Sequence, residues 1–299
     1  MADCKKSLAF NQAFHAHGEL FMKGKRLPPA SNADTQSTIS AQGQYRKHEH
    51  GHSRFLPGER DVIVYLPGPY LANPTRRFPV LYMQDGQNLF DPATAFGGTA
   101  WQMGETADRL IAEGVIQPLV IVGIYNTGKQ RVREYTPSRV RKLGGGGANR
   151  YGSMLLKEIK PFIDSEYRTL SGPAHTGLGG SSLGGLLSLY LGLRYPRIFG
   201  RLAALSASVW WDRHWIVNYA ARSRSKARPR IWLDVGTREA EHTVEDARAL
   251  RDVLSRNGWR HIHDLHYEEI EGGQHNEAAW AQRVGPVLQF LFPGGETAV

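Results

Sequence analysis

Thr176-Gly177-Leu178-Gly179-Gly180-Ser181-Ser182-Leu183-Gly184-Gly185 is the stretch from which the rest of the chain can be read. Its first four residues make a short apolar run, and residues 183–195 carry a helix-like pattern of leucines. Between them, Gly180-Ser181-Ser182-Leu183-Gly184 fits the spacing G-x-S-x-G. A strand that turns sharply into a helix strains the backbone at the turn and pushes that side chain out of the sheet. The residues two before and two after crowd the turning backbone, and glycine relieves both contacts. Ser182 is therefore the candidate nucleophile. Ser181 has the wrong flanking spacing. In a chain with 33 glycines the spacing alone is a weak signal, and a glycine-rich turn with a buried serine would give the same letters. The strand–turn–helix setting is what raises it above coincidence.

The same alternation runs outward in both directions. Strand-like apolar runs lie at Asp61–Leu66, Phe78–Met83, Leu119–Ile124, Thr176–Gly179, Leu202–Ser206, Ile231–Val235 and Leu265–Ile270. Helix-like patterns lie between or after them, at about 102–113, 149–167, 183–195, 243–257 and 277–292. Short apolar strands alternating with helices predict an α/β class, with a mostly parallel central sheet and helices on both faces. Residues 1–45 are polar and weakly periodic, and are expected to be an N-terminal extension or edge hairpin. Residues 46–299 are expected to form one catalytic domain. The Gly144–Gly147 run has no GxGxxG or GKS context and is read as a hinge before the 149–167 helix.

A serine nucleophile needs a base and an acid. In strand–turn–helix serine enzymes they follow it in the order acid, then histidine. Of twelve histidines, only His275 sits in a glycine-rich turn, Gly272-Gly273-Gln274-His275, just after the last strand. His261, His263 and His266 lie in or beside that strand, and His175 precedes Ser182. The acid should sit on a loop at the carboxyl end of a strand, where it holds the imidazole tautomer and stabilises imidazolium. Glu239, three residues beyond the glycine that ends Ile231–Val235, is preferred. Asp234, Glu241 and Asp212 remain alternatives, as does a Ser–His dyad. A tetrahedral intermediate also needs two backbone N–H groups aimed at its oxygen. Leu183 should supply one, and Gln87, in Gln84-Asp85-Gly86-Gln87-Asn88, the other. Asp85 is a tentative substrate contact or a brace for that loop. Trp210 and Trp211 either wall an apolar pocket or pack under a surface loop.

Taken together, these residues resemble the "Putative esterase" family of α/β hydrolases, which includes siderophore esterases, feruloyl esterases and mycolyltransferases. The resemblance rests on Pro79–Phe90, Arg133-Glu134-Tyr135-Thr136-Pro137, Gly180–Gly185, Asp234–Glu239 and Gly273–Trp280, and covers roughly 55–293. It implies an α/β-hydrolase fold and a serine carboxylesterase acting on small-acyl or aromatic, feruloyl- or siderophore-type esters through an acyl-enzyme intermediate. It implies no cofactor. An acyltransferase on the same scaffold is the first alternative, and a non-catalytic binding module the second.

Composition narrows the partners. The net charge of +9 invites a nucleic-acid reading, but the basic residues are spread out and no matching motif accompanies them. Lys129, Arg131, Arg133, Arg139, Arg141 and Lys142 form one local concentration, and Arg222, Arg224, Lys226, Arg228 and Arg230 another. They are read as solvated loops, or as attractors of an anionic substrate. No apolar run is long enough to span a membrane. The single cysteine, Cys4, excludes an internal disulfide. No signal peptide is visible, so the compartment stays open with the cytoplasm slightly favoured. The expected partner is a small-molecule ester, with homo-oligomerisation left open. No metal is expected. His48, His50 and His52 would share one face of a strand, yet read better as a solvated segment.

Overall fold

Alternation in the strands decides which side chains meet which helices. In the computed structural model, which describes residues 42–295 apart from Arg224, Val80 and Tyr82 face one core while Leu81 and Met83 face another. Val120, Val122 and Ile124 likewise oppose Leu119 and Ile121, and Ile231 and Leu233 oppose Trp232. Successive strand residues point to opposite faces, so a sheet covered on both sides needs continuous apolar runs.

The sheet has eight strands: β1 Gln44–His52, β2 Glu59–Leu66, β3 Val80–Gln84, β4 Val120–Ile124, β5 Thr176–Ser181, β6 Arg201–Leu205, β7 Arg230–Gly236 and β8 Leu265–Ile270. Their spatial order is β1-β2-β4-β3-β5-β6-β7-β8. β2 runs antiparallel to β1 and β4, and every other pairing is parallel. Helices Met103–Ala112 and Val284–Leu291 cover one face. Helices Ala148–Met154, Leu183–Arg194 and Thr243–Arg256 cover the other. This is the α/β-hydrolase fold.

Several expectations need correction. Of residues 1–45 only the last four are described, and Gln44 and Tyr45 already belong to β1. The histidines of β1 do not share a face. His50 takes φ 55° and the register slips between His48 and Gly51, so a bulge separates them. His48 packs edge-on against Phe162 and bonds Tyr167, whereas His50 and His52 both lie beside Glu59. Among the described residues no cluster of three His, Cys, Asp or Glu side chains is arranged to hold a metal. The expected 277–292 helix is two, Glu277–Ala281 and Val284–Leu291. A helix at Trp211–Ala221 was not expected. Its first turn holds Asp212, Arg213 and His214 in left-handed conformations, and aromatic residues hide its period. No helix of the described residues is long and apolar enough to cross a membrane.

Candidate active site

In a parallel sheet the carboxyl ends of neighbouring strands open onto one crevice. Here β3, β5, β6, β7 and β8 deliver Asp85–Asn88, Ser182, Ser206 and Ser208, Glu239, and His275 to the same end. Ser182 follows β5 directly at φ 55°, ψ −120°. That strained geometry survives because the surroundings over-determine it. A Cβ on Gly180 would lie 3.0 Å from the Gln84 Cβ and the Gly184 carbonyl carbon, and one on Gly184 would lie 3.1 Å from Gln84. At both glycines of the motif a Cβ would be crowded, and its neighbours would have to give by a few tenths of an ångström. Ser181 stays in the strand and is buried.

Two further glycines bring the remaining loops together. A Cβ on Gly236 would meet the Gly273 carbonyl oxygen at 2.3 Å. The Arg238 N–H donates to that same carbonyl, and the Gly272 N–H donates to the Thr237 hydroxyl. So joined, the loops place His275 Nδ1 2.8 Å from Glu239 Oε2. The Asn276 side chain caps the following helix through the Ala279 N–H at 2.9 Å, which fixes the backbone beside His275. Burial alone would raise the Glu239 carboxyl. Hydrogen bonds from His275, Ser206 and the Gly236 N–H outweigh it and hold the pKa below the ordinary glutamate value.

The other carboxylates lie elsewhere. Asp234 is wholly buried in the sheet, where it accepts from Trp232 and pairs with Arg283 at 2.8 Å. Burial raises its pKa, against the pull of Arg283. Glu241 is solvent-exposed beside His242. Asp212 sits at the start of the Trp211–Ala221 helix, and His275 pairs with Glu239 instead. No hydrogen bond joins His275 to Ser182 among the described residues. The Ser182 hydroxyl meets Ser208 Oγ at 3.2 Å instead. Catalytic hydrogen bonds in an empty site often tighten only when substrate is bound.

Leu183 and Gln87 each sit in the first turn of a helix, where N–H groups have no intrahelical partner. The Gln87 loop is held from several sides. Asp85, at φ 56°, accepts from Arg131 Nε at 2.9 Å and Nη2 at 2.7 Å, and from Asn126 Nδ2 at 2.7 Å. Its own N–H donates to the Tyr135 hydroxyl. Gly86 approaches β4 so closely that a Cβ would lie 2.4 Å from the Gly123 carbonyl carbon. The Asp85 carboxylate is thus buried and engaged by Arg131 and Asn126 beside the loop that carries Gln87. Trp211 is only 2% exposed and donates its N–H to Ser138, so it has no free face for a ligand. Trp210 is 47% exposed and stays available.

The sequence reading missed Ser206, Ser208, Arg131, Asn126, Trp280 and Arg283. Arg131 stood in a basic run that did not point to Asp85, and Trp280 closed the Gly273–Trp280 motif without a role of its own.

An eight-stranded sheet of this order, with a strained serine between β5 and its helix, defines an α/β hydrolase. The family model described as "Putative esterase" matches residues 53–291, so the chain belongs to that family and is an ester hydrolase. It is 25% identical over 254 residues to Uncharacterized protein YbbA of Bacillus subtilis strain 168, covering 80% of this chain and 95% of that one. It is 27% identical over 228 residues to Ferri-bacillibactin esterase BesA of the same organism, covering 67% and 76%. Among solved structures, a ferulic acid esterase superposes with a TM-score of 0.68 at 18% identity, over 84% of this chain and 98% of the other. At that identity the likeness bears on the fold alone.

Proposed function

We propose that this chain is a serine carboxylesterase that cleaves small-acyl or aromatic esters of feruloyl or siderophore type through an acyl-enzyme. The observation that carries the reading is the 2.8 Å contact between His275 Nδ1 and Glu239 Oε2 beside the strained Ser182 turn. An ionised carboxylate only accepts, so it fixes the proton on Nδ1 and leaves Nε2 free to take a proton from Ser182. Ser182 Oγ then attacks the ester carbonyl carbon. The oxygen gains charge in the tetrahedral intermediate, and the Leu183 and Gln87 N–H groups receive it. Collapse breaks the ester C–O bond, and the imidazolium protonates the departing alcohol. Water, deprotonated by His275, repeats the attack and frees the acid.

Trp210 borders the acyl side of the site in this reading. The names of relatives, Ferri-bacillibactin esterase and Endo-1,4-beta-xylanase/feruloyl esterase, support the choice of aromatic acyl groups. The test compares the native chain with Ser182→Ala on p-nitrophenyl esters, methyl ferulate and a siderophore lactone. Loss of about 10⁴-fold or more in kcat with the fold intact is expected. A serine-directed organophosphorus reagent should label Ser182. Near-native activity in the alanine variant would end the reading.

A further inference from the structure

Behind Glu239 lies a buried polar group that the proposed reaction does not use. Ser206 directly follows β6 at a positive φ of 44°. Its N–H is held by the Asp234 carboxylate at 3.0 Å, which anchors it in spite of the strain. Its hydroxyl has three neighbours. Trp280 Nε1 lies at 3.0 Å, Arg283 Nη1 at 2.8 Å and Glu239 Oε1 at 2.5 Å. Indole and guanidinium nitrogens can only donate. They fill both lone pairs of the Ser206 oxygen, so its single proton has one place left to go, the Glu239 carboxylate.

Arg283 is itself fixed. It is buried, and the same Nη1 also donates to Asp234 Oδ1 at 2.8 Å. Its Nη2 faces Glu239 Oε1 at 3.9 Å. The Gly236 N–H adds a second donor to Oε1 at 2.7 Å. Oε1 is thus saturated, and Oε2 alone is turned to His275.

We propose that Ser206 is a positioning residue, its proton aimed by Arg283 and Trp280, that keeps Glu239 ionised and presents one oxygen to His275. The proposal rests on the serine-hydrolase reading above. The charged and titratable groups facing this pair are His275 from the loop after β8, Arg283 from the turn between the C-terminal helices and Asp234 on β7. Glu277, beside His275, adds a carboxyl that burial raises.

The experiment is the pH dependence of kcat/KM for the native chain and Ser206→Ala. Without the hydroxyl proton the carboxylate is less stabilised and holds imidazolium more tightly. Both effects move the coupled His275–Glu239 titration upward. The acid limb should rise by about one pH unit, the scale of one hydrogen bond to a charged group. The plateau should fall by about tenfold. Simple loss of packing would lower the plateau and leave the limb where it was. Should Ser206→Ala fail to fold, Trp280→Phe frees one lone pair, lets the hydroxyl rotate, and should move the limb upward by a smaller amount. An acid limb coincident with the native one in the folded variant overturns the proposal. Glu239→Gln separates the two readings. If it is inactive while Ser206→Ala keeps the native limb, only the role of Ser206 fails. If Glu239→Gln itself is near native, the acid assignment fails as well.

Discussion

His275 Nδ1 and Glu239 Oε2 stand 2.8 Å apart, although the two residues come from loops after different strands. The Glu239 side chain is almost fully buried, while the imidazole is partly open to solvent. In the proposed mechanism a buried carboxylate thus orients a reachable base. Glu239→Gln offers the imidazole an amide that can also donate, so the tautomer is no longer fixed. kcat should fall by roughly 10²- to 10⁴-fold with KM little changed. Adding Ser182→Ala should cost little beyond Ser182→Ala alone, because such residues act as a unit. Steady-state kinetics of the three variants checks this.

The Asp85–Arg131 pair should matter through the position of the Gln87 N–H. Arg131→Met removes two charge-assisted hydrogen bonds and leaves the buried Asp85 carboxylate with Asn126. Breaking a buried pair costs about 3–5 kcal/mol, but Arg131 is partly exposed, so about 1–3 kcal/mol is expected in urea unfolding. kcat should fall by about 10- to 100-fold as the loop loosens, with binding of the ester less affected. Unchanged kcat alongside reduced stability would restrict the pair to a structural role.

What was legible in the sequence follows from what is local. The strands are apolar runs, the serine turn is written in two glycines, and His275 sits in a glycine-rich turn of its own. Those features act over a few residues. Ser206, Arg283 and Asp234 meet only because β6, β7 and the C-terminal turn are adjacent in space. Nothing in the spacing of residues 206, 234 and 283 predicts that meeting. For Asp85 and Trp211 two readings stood open in the sequence for the same reason. Their partners, Arg131 and Ser138, lie 46 and 73 residues away in sequence. The helix Trp211–Ala221 escaped because its apolar residues form no clean stripe.

Acid should remove a stabilising contribution from Glu239. Its pKa in the folded chain lies below the ordinary value. The contribution is therefore present above the unfolded pKa of about 4.3 and is lost as pH falls through the lower folded value. Melting temperatures of the native chain and Glu239→Gln should differ at pH 6 and converge toward about pH 3. Asp234, raised by burial, is common to both proteins and cancels in the difference. A gap that stays constant over this range would show that Glu239 is not ionised by the fold.

Charge should act on substrate from one end of the sheet only. Lys129, Arg133, Arg139, Arg141 and Lys142 are exposed and follow β4 at its carboxyl end, the end that holds Ser182. Lys226 and Arg228 lead into the amino end of β7, at the opposite end. Anionic esters should therefore gain in kcat/KM over neutral ones at low salt, and lose the gain as salt rises. Arg139→Gln with Arg141→Gln should flatten that dependence, and Lys226→Gln with Arg228→Gln should not. Equal effects of the two pairs would point to net charge rather than steering.

The hydroxyls of Ser182 and Ser208 share a hydrogen bond at 3.2 Å in which either can donate, and the Ser208 N–H donates to the Ser182 carbonyl at 3.0 Å. The backbone bond ties the two turns together. The side-chain bond is different, because where Ser182 is its donor it competes with His275 for the Ser182 proton. A neutral hydroxyl pair contributes only about 0.5–1.5 kcal/mol. With Ser182 as donor, turning its proton to His275 on ester binding must overcome that amount. Ser208→Ala keeps the backbone bond and removes the competitor, so kcat/KM should stay level or rise, by at most about tenfold. The labelling rate with an organophosphorus reagent should rise in parallel, since it also needs the Ser182 oxygen activated by His275. A fall of about 100-fold in both rates would reverse the argument. It would make Ser208 a partner that the Ser182 hydroxyl needs during attack rather than one it must leave.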